Sequence, residues 1–256
     1  MSDLAAVLTG LARGSIRVVD LTSPLTADTP ILQLPEEFGQ TAHFELEEIS
    51  NYDDRGPAWY WNNFRTGEHT GTHFDAPIHW VTGPKQDVAS VPAERLVGPA
   101  VVIDVTDRVA TDPDHLVEVA DLEAFQAEHG PFPAGGWLLL HTGWSVHGHS
   151  QETFVNADEN GPHTPGLSAD AARWLAEESP IIGLGVETVG TDAGAAGTFD
   201  PMYPCHALMH GAGKYGLTQL TNLDQLPPTG AMLVAAPLKI VGGSGSPVRV
   251  LAFVDG

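Results

Sequence analysis

The chain has one cysteine, Cys205, in 256 residues, so no disulfide can form within it and the fold is not a cysteine-stapled one. Positive charge is also scarce: 11 lysines and arginines stand against 33 aspartates and glutamates, a formal net charge of -22. Such a balance repels phosphate backbones and anionic lipid headgroups, so nucleic acid and membrane are excluded as expected partners. Long hydrophobic runs are missing. Those present, such as Gly98 to Val105 and Trp137 to Leu140, are too short to span a bilayer, and no charged start followed by an apolar stretch opens the chain. These absences describe a soluble cytoplasmic protein. Cys205 beside His206 is read as packing, not as a nucleophile, because adjacent residues on a strand point apart and buried cysteine behaves as a small hydrophobe.

Several motifs are absent as well. No G-x-x-x-x-G-K-[ST] run surrounds Gly213-Lys214, no G-x-G-x-x-G follows a strand, and Gly242-Gly-Ser-Gly-Ser lacks the terminal glycine of a nucleophile elbow. Nucleotide binding and serine hydrolysis lose their support, and the Gly-Ser run reads as a tight turn between strands.

What is present fits one domain over residues 1–256, with 42% hydrophobic residues to build its core. Leucines and alanines at helical spacing predict a helix over 2–13, and strands follow over 15–21 and 42–49 around a Pro- and Thr-rich loop at 22–42. Further strands are predicted over 100–105, 136–142, 181–189 and 248–254. Helices are predicted over 121–129 and 168–178, the latter opening on Ser168 as an N-cap. Strands alternating with helices, plus extra strands near both ends, predict an α/β fold with a mixed β-sheet core and flanking helices.

The chemistry concentrates in Gly67-Glu68-His69-Thr70-Gly71-Thr72-His73-Phe74-Asp75-Ala76-Pro77-Ile78-His79-Trp80. Three of the twelve histidines and one aspartate stand here at spacings of four, two and four. Gly71 and Pro77 argue against a helix. In extended chain His69, His73, Asp75 and His79 share one face, but at roughly 3.3 Å per residue His69 and His79 would lie about 33 Å apart. The segment must bend, and Gly71 and Pro77 are suitable places. Imidazoles and a carboxylate converging in this way suit one divalent ion of the Mn2+ or Zn2+ type with positions left for water. Upstream, Trp59, Trp61 and Phe64 offer a flat apolar wall for a planar substrate. Downstream, His206 and His210 are spaced to project from one side of a helical turn.

The run from His69 to His79 resembles the signature of the cyclase-like metal-dependent amidohydrolases, the family that includes bacterial kynurenine formamidase and isatin hydrolase. The likeness extends from Val19-Asp20-Leu21-Thr22 to the Gly-Ser run and Arg249. It implies the swivelling β/β/α type of fold, a metal held by His69, His73 and Asp75, and His206 at the centre. The run Gly185-Val-Glu187-Thr-Val-Gly-Thr-Asp192-Ala-Gly and Trp59-Tyr-Trp-Asn-Asn are similar to the isatin hydrolase branch. In the formamidase branch an acidic residue twelve positions after the His206 equivalent completes a second metal site, but here that position is Thr218, followed by Gln219. One metal is therefore expected. The expected reaction is hydrolysis of a small cyclic amide of isatin type, with Asp75 fixing the ion, His79 as acid or base, and His206 steadying substrate or water. His210 and the aromatic residues would contact the substrate. Cleavage of an open-chain N-formyl group is the alternative within this chemistry, and a non-catalytic metal or small-molecule binding protein the alternative outside it. The resemblance also implies a homodimer or higher homo-oligomer in which a neighbour's aromatic residues complete the pocket.

Overall fold

The computed structural model describes residues 3–35 and 37–256. Its centre is a mixed sheet of eight strands that closes on itself. Val97–Asp104, Trp137–His141, Gly183–Val186 and Tyr215–Thr218 run parallel, side by side. Helical connections join them, as parallel neighbours require. Ala231–Pro237 and the long strand Gly245–Asp255 continue the sheet antiparallel, and Ile16–Asp20 pairs with the far half of that long strand. Closure depends on the three residues His73–Asp75, which pair antiparallel with Tyr215–Thr218 on one side and with Gly245, Ser246 and Pro247 on the other. The strand with the candidate ligands thus sits in the seam, with Asp75 opposite Gly216 and Gly245.

Strand alternation divides the core in two. Val102, Trp137, Leu139 and Leu217 pack with Phe74, Leu233 and Val250. Their neighbours Val101, Ile103, Leu138 and Leu140 face outward onto Leu122 and Leu175, from the helices Val119–His129 and Ala169–Glu177. Each fully buried leucine contributes roughly 1.5–3 kcal/mol relative to exposure, and Phe74 of the seam strand lies in the first of the two clusters.

The predicted α/β class with a mixed sheet and flanking helices is the one found. The first helix occupies Asp3–Arg13, and residue 2, with which its predicted span began, lies outside the described residues. Ser168 does cap its helix, accepting the N–H of Ala171. The predicted 121–129 helix starts earlier, at Val119, because Glu118 and Asp121 form a reciprocal capping box. Tyr215–Thr218 and Ala231–Pro237 were not anticipated as strands. The strand expected over 42–49 lies at Glu45–Asn51 and, among the described residues, pairs only with Tyr60–Arg65, forming a separate hairpin. That hairpin leaves Trp59, Trp61 and Phe64 exposed at 49%, 55% and 60%.

Candidate active site and metal centre

The extended reading of the ligand run holds only for His73–Asp75. Gly71 turns the chain at φ 68°, in the left-handed region open to glycine, and Pro77 opens a single 3-10 turn, Pro77–His79. These two bends fold the ends of the run together. His69 and His79 end with ring centroids 3.9 Å apart and planes within 25°, and His73 packs edge-on to His69 at 5.1 Å.

Asp75 is the centre of the group. Its Oδ1 lies 2.7 Å from His69 Nδ1 and 3.3 Å from His73 Nε2, while Oδ2 is buried with no hydrogen-bond partner. Burial alone would raise this carboxyl, but His73 and His69 outweigh it and hold the group well below the usual carboxylate range. His73 Nδ1 donates to the carbonyl of Gly71 at 2.8 Å and lies 2.8 Å from the Thr218 hydroxyl. A carbonyl can only accept, so that nitrogen carries a proton and Nε2 is the ring atom turned toward Asp75. Nε2 of His73 and Nδ1 of His69 are thus both turned to a buried carboxylate whose other oxygen has no hydrogen-bond partner. Imidazole and carboxylate donors of this kind fit a divalent ion of the Mn or Zn class.

The other half of the cluster comes from the six-residue π-helix Cys205–His210, a distorted helical form common at functional sites. His206 and His210 approach each other at 5.5 Å between centroids, and lie 5.4 and 6.0 Å from His79. Asp192 secures this helix, accepting the N–H of Cys205 at 2.7 Å and meeting His206 Nδ1 at 2.5 Å. Burial disfavours the charged His206 ring, but the Asp192 hydrogen bond and charge, with Asp75, prevail and raise its pKa. His210 Nδ1 donates to the Lys214 carbonyl at 2.9 Å, leaving Nε2 buried without a partner. Burial and then the His206 charge push its pKa down.

Two groups of three have ligand atoms within 4.8 Å of one another, His69 with Asp75 and His79, and Asp75 with His206 and His210. Asp75 belongs to both, and His73 to neither. His79 is driven down to about 3, first by burial and then by the charges of the surrounding imidazoles, against the opposing pull of Asp75. It is therefore a neutral proton acceptor at ordinary pH.

All the histidines singled out from the sequence meet here. The aromatic residues do not: among the described residues, Trp59, Trp61 and Phe64 have no ring contact with the cluster, and Phe64 packs on Phe44 at 6.2 Å. The aromatic surface beside the histidines belongs instead to Trp80, 4.9 Å from His206 and 5.9 Å from Tyr203. Sequence reasoning missed Trp80 as a wall residue, although it directly follows His79. It also missed the partners Glu68, Ser244 and Asp192, of which Ser244 stands 175 positions from His69 and gave no local signal.

The model of the Cyclase family, described as "Putative cyclase", matches residues 19–193. The chain belongs to this family. It is 45% identical to an isatin hydrolase of Roseibium aggregatum over 257 aligned residues, covering 99% of this chain and 97% of the relative. Its backbone superimposes on isatin hydrolase A from Ralstonia solanacearum with a TM-score of 0.97 at 54% identity, over 100% and 98% of the two chains. An isatin hydrolase bound to the product analogue thioisatinate gives the same TM-score, 0.97, at 44% identity and full coverage of both chains. Kynurenine formamidases are more distant; that of Salinibacter ruber is 32% identical over 74% of this chain and 77% of its own. Among the described residues no helix is long and apolar enough to cross a membrane.

Proposed function

We propose that the chain hydrolyses the ring amide of isatin or a closely related cyclic amide, using one Mn2+ or Zn2+ ion held by His69, His73 and Asp75. The observation that carries this reading is the buried Asp75 carboxylate, with one oxygen unpaired and ring nitrogens of His69 and His73 turned toward the other. The full-length likeness to isatin hydrolases supports the choice of substrate. A divalent ion in such a site polarises an amide carbonyl and makes water a competent nucleophile near neutral pH.

The side chains divide the remaining work. His79, neutral because of its burial, takes a proton from the attacking water and returns it to the nitrogen as the C–N bond breaks. His206, held by Asp192, supports the oxyanion that develops on the former carbonyl. The unpaired Nε2 of His210 is available to a polar group of the substrate. Water adds to the carbonyl carbon, the ring opens, and the product carries a new carboxylate and a free amine.

Thr218, fully buried and hydrogen-bonded to His73, adds no anionic oxygen for a second ion, which favours one metal over two. The exposed Trp59, Trp61 and Phe64 support a homodimer in which the hairpin of one copy lies over the site of the other.

The test is metal content per chain by elemental analysis of protein purified without added metal, paired with assays of isatin and N-formylkynurenine. One Mn or Zn per chain with ring opening of isatin is the expected result. Two ions with deformylation would move the chain to the formamidase reaction, and neither activity would refute both.

A further inference from the structure

The Gly242-Gly-Ser-Gly-Ser run returns to the histidine cluster through one side chain. Ser244 Oγ lies 2.6 Å from Glu68 Oε2 and 2.8 Å from His69 Nε2, and the Ser244 N–H donates to the same Glu68 oxygen at 3.0 Å. A carboxylate only accepts, and a serine hydroxyl has one proton to give. The short contact commits that proton to Glu68. Ser244 Oγ therefore accepts the Nε2–H of His69, and Nδ1 is the ring atom left to face the carboxylate. That atom lies 2.7 Å from Asp75 Oδ1.

The surroundings fix this arrangement. The Ser244 carbonyl accepts the N–H of Ala76 at 2.9 Å, which ties the run to the end of the His73–Asp75 strand. Gly245 follows, and a Cβ there would come within 2.5 Å of His69 Cε1, so the ring rests on bare backbone. His73 is held by the same logic with its nitrogens exchanged, since Gly71 takes its Nδ1–H and Nε2 faces the same Asp75 oxygen.

We infer that Glu68 and Ser244 form a positioning relay that fixes the His69 tautomer, so that Nδ1 is the atom His69 offers to a divalent ion beside Asp75. The relay rests on the proposed metal centre, and it explains why His69 and His73 present different ring atoms. The two rings reach Asp75 Oδ1 from different directions, and each needs its own outer acceptor to point the correct lone pair inward. Partners of this kind hold ligand histidines in one orientation and are worth about 10- to 100-fold in metal affinity.

The experiment is a Zn2+ titration of metal-free protein against a chromogenic chelator, without turnover, for the parent, Ser244→Ala and Glu68→Gln. Ser244→Ala removes the acceptor. Glu68→Gln keeps the shape, but its amide can donate to Ser244 and so turn the hydroxyl proton toward His69. Both variants are expected to bind Zn2+ about 10- to 100-fold more weakly, with unchanged far-UV circular dichroism and thermal midpoint in the metal-free state. Imidazole nitrogen NMR is expected to show His69 protonated on Nε2 in the loaded parent. Affinities within about twofold of the parent, far short of the usual outer-partner effect, or a loaded parent with His69 protonated on Nδ1, would overturn the relay. So would a parent that binds no Zn2+. A parent that binds Zn2+ and loses it in the variants, yet does not open isatin, would uphold the relay and refute the substrate.

Discussion

Asp192 holds His206 by backbone and side chain together: its Oδ2 lies 2.5 Å from the ring Nδ1 and also accepts the His206 N–H at 3.2 Å. The contact orients the ring, takes its Nδ1–H and, by raising its pKa, favours the protonated ring that also carries an Nε2–H for the cluster. Asp192→Asn keeps the size but removes the charge that favours the protonated ring, and with it the Nε2–H that would support an oxyanion. A fall in kcat of about 10²- to 10⁴-fold is expected, in the range of a lost proton-transfer or charge-stabilising group, with KM little changed. Steady-state kinetics on isatin check this. A variant with parental kcat would mean that protonation of His206 has no part in the reaction.

His79 provides a sharper separation of roles. As acid and base it is needed for turnover, whereas the proposed ion is held by other residues. His79→Gln is expected to lower kcat by about 10²- to 10⁴-fold while metal content per chain stays at the parental value. Elemental analysis beside the kinetics decides the point: loss of the metal along with activity would make His79 a ligand, as its place beside His69 and Asp75 allows.

The ligand run was legible in the sequence because its evidence is local. Three histidines and an aspartate in one short stretch, with a glycine and a proline between them, indicate both the chemistry and the bends. Some of the central strands were legible for a similar reason, since those such as Trp137–His141 are almost wholly apolar. Other features depend on closure of the sheet, which no window of sequence reports. Ser244 reaches His69 only because Gly245 pairs with Asp75, and the His73–Asp75 strand is too short to carry a period. Trp59, Trp61 and Phe64 stand near that run in sequence but not beside it within one chain: among the described residues their hairpin pairs only with itself.

Gly245 tests the seam directly. A methyl group there would meet His69 Cε1 at 2.5 Å and the Phe74 carbonyl at 2.6 Å. The backbone oxygen cannot swing away as a side chain could, so Gly245→Ala must shift either the strand pairing or the His69 ring. A destabilisation of about 1–3 kcal/mol is expected for overpacking of this kind, with weaker metal binding. Urea unfolding and chelator competition measure the two effects, and a variant with parental values in both would show that the seam is looser than its contacts indicate.

The exposed hairpin leads to a prediction about assembly. If a neighbour covers Trp59 and Trp61, the double variant Trp59→Ala, Trp61→Ala is expected to run as a monomer in light scattering coupled to size exclusion, with a raised KM for isatin. The acidic surface would repel a second copy at low salt, so the measurement belongs at an ionic strength where the Debye length is about 8 Å. A monomeric parent would remove the proposed dimer.

His163 gives a pH dependence of stability that is independent of the active site. Its Nδ1 lies 2.6 Å from Asp114 Oδ2 and its Nε2 3.1 Å from Asp158 Oδ1. Asp114 and then Asp158 raise the imidazole above its ordinary value of 6.5. The folded state thus holds this proton more tightly than the unfolded chain, so the stabilisation is complete below 6.5 and fades as pH rises through the folded value. Asp158 is held below 3.8, first by the Asn160 N–H and then by His163. Its contribution is complete above 3.8 and is lost as pH falls through its lowered folded value. Between these limits both are present. The difference in thermal midpoint between the parent and His163→Gln is therefore expected to be largest near pH 5 to 6, within the window of about 3.9 to 6.5 set by the two ordinary values, and to shrink in mildly alkaline buffer. A difference that is flat across this range, or that grows with pH, would show that the His163 contacts carry no ion-pair energy.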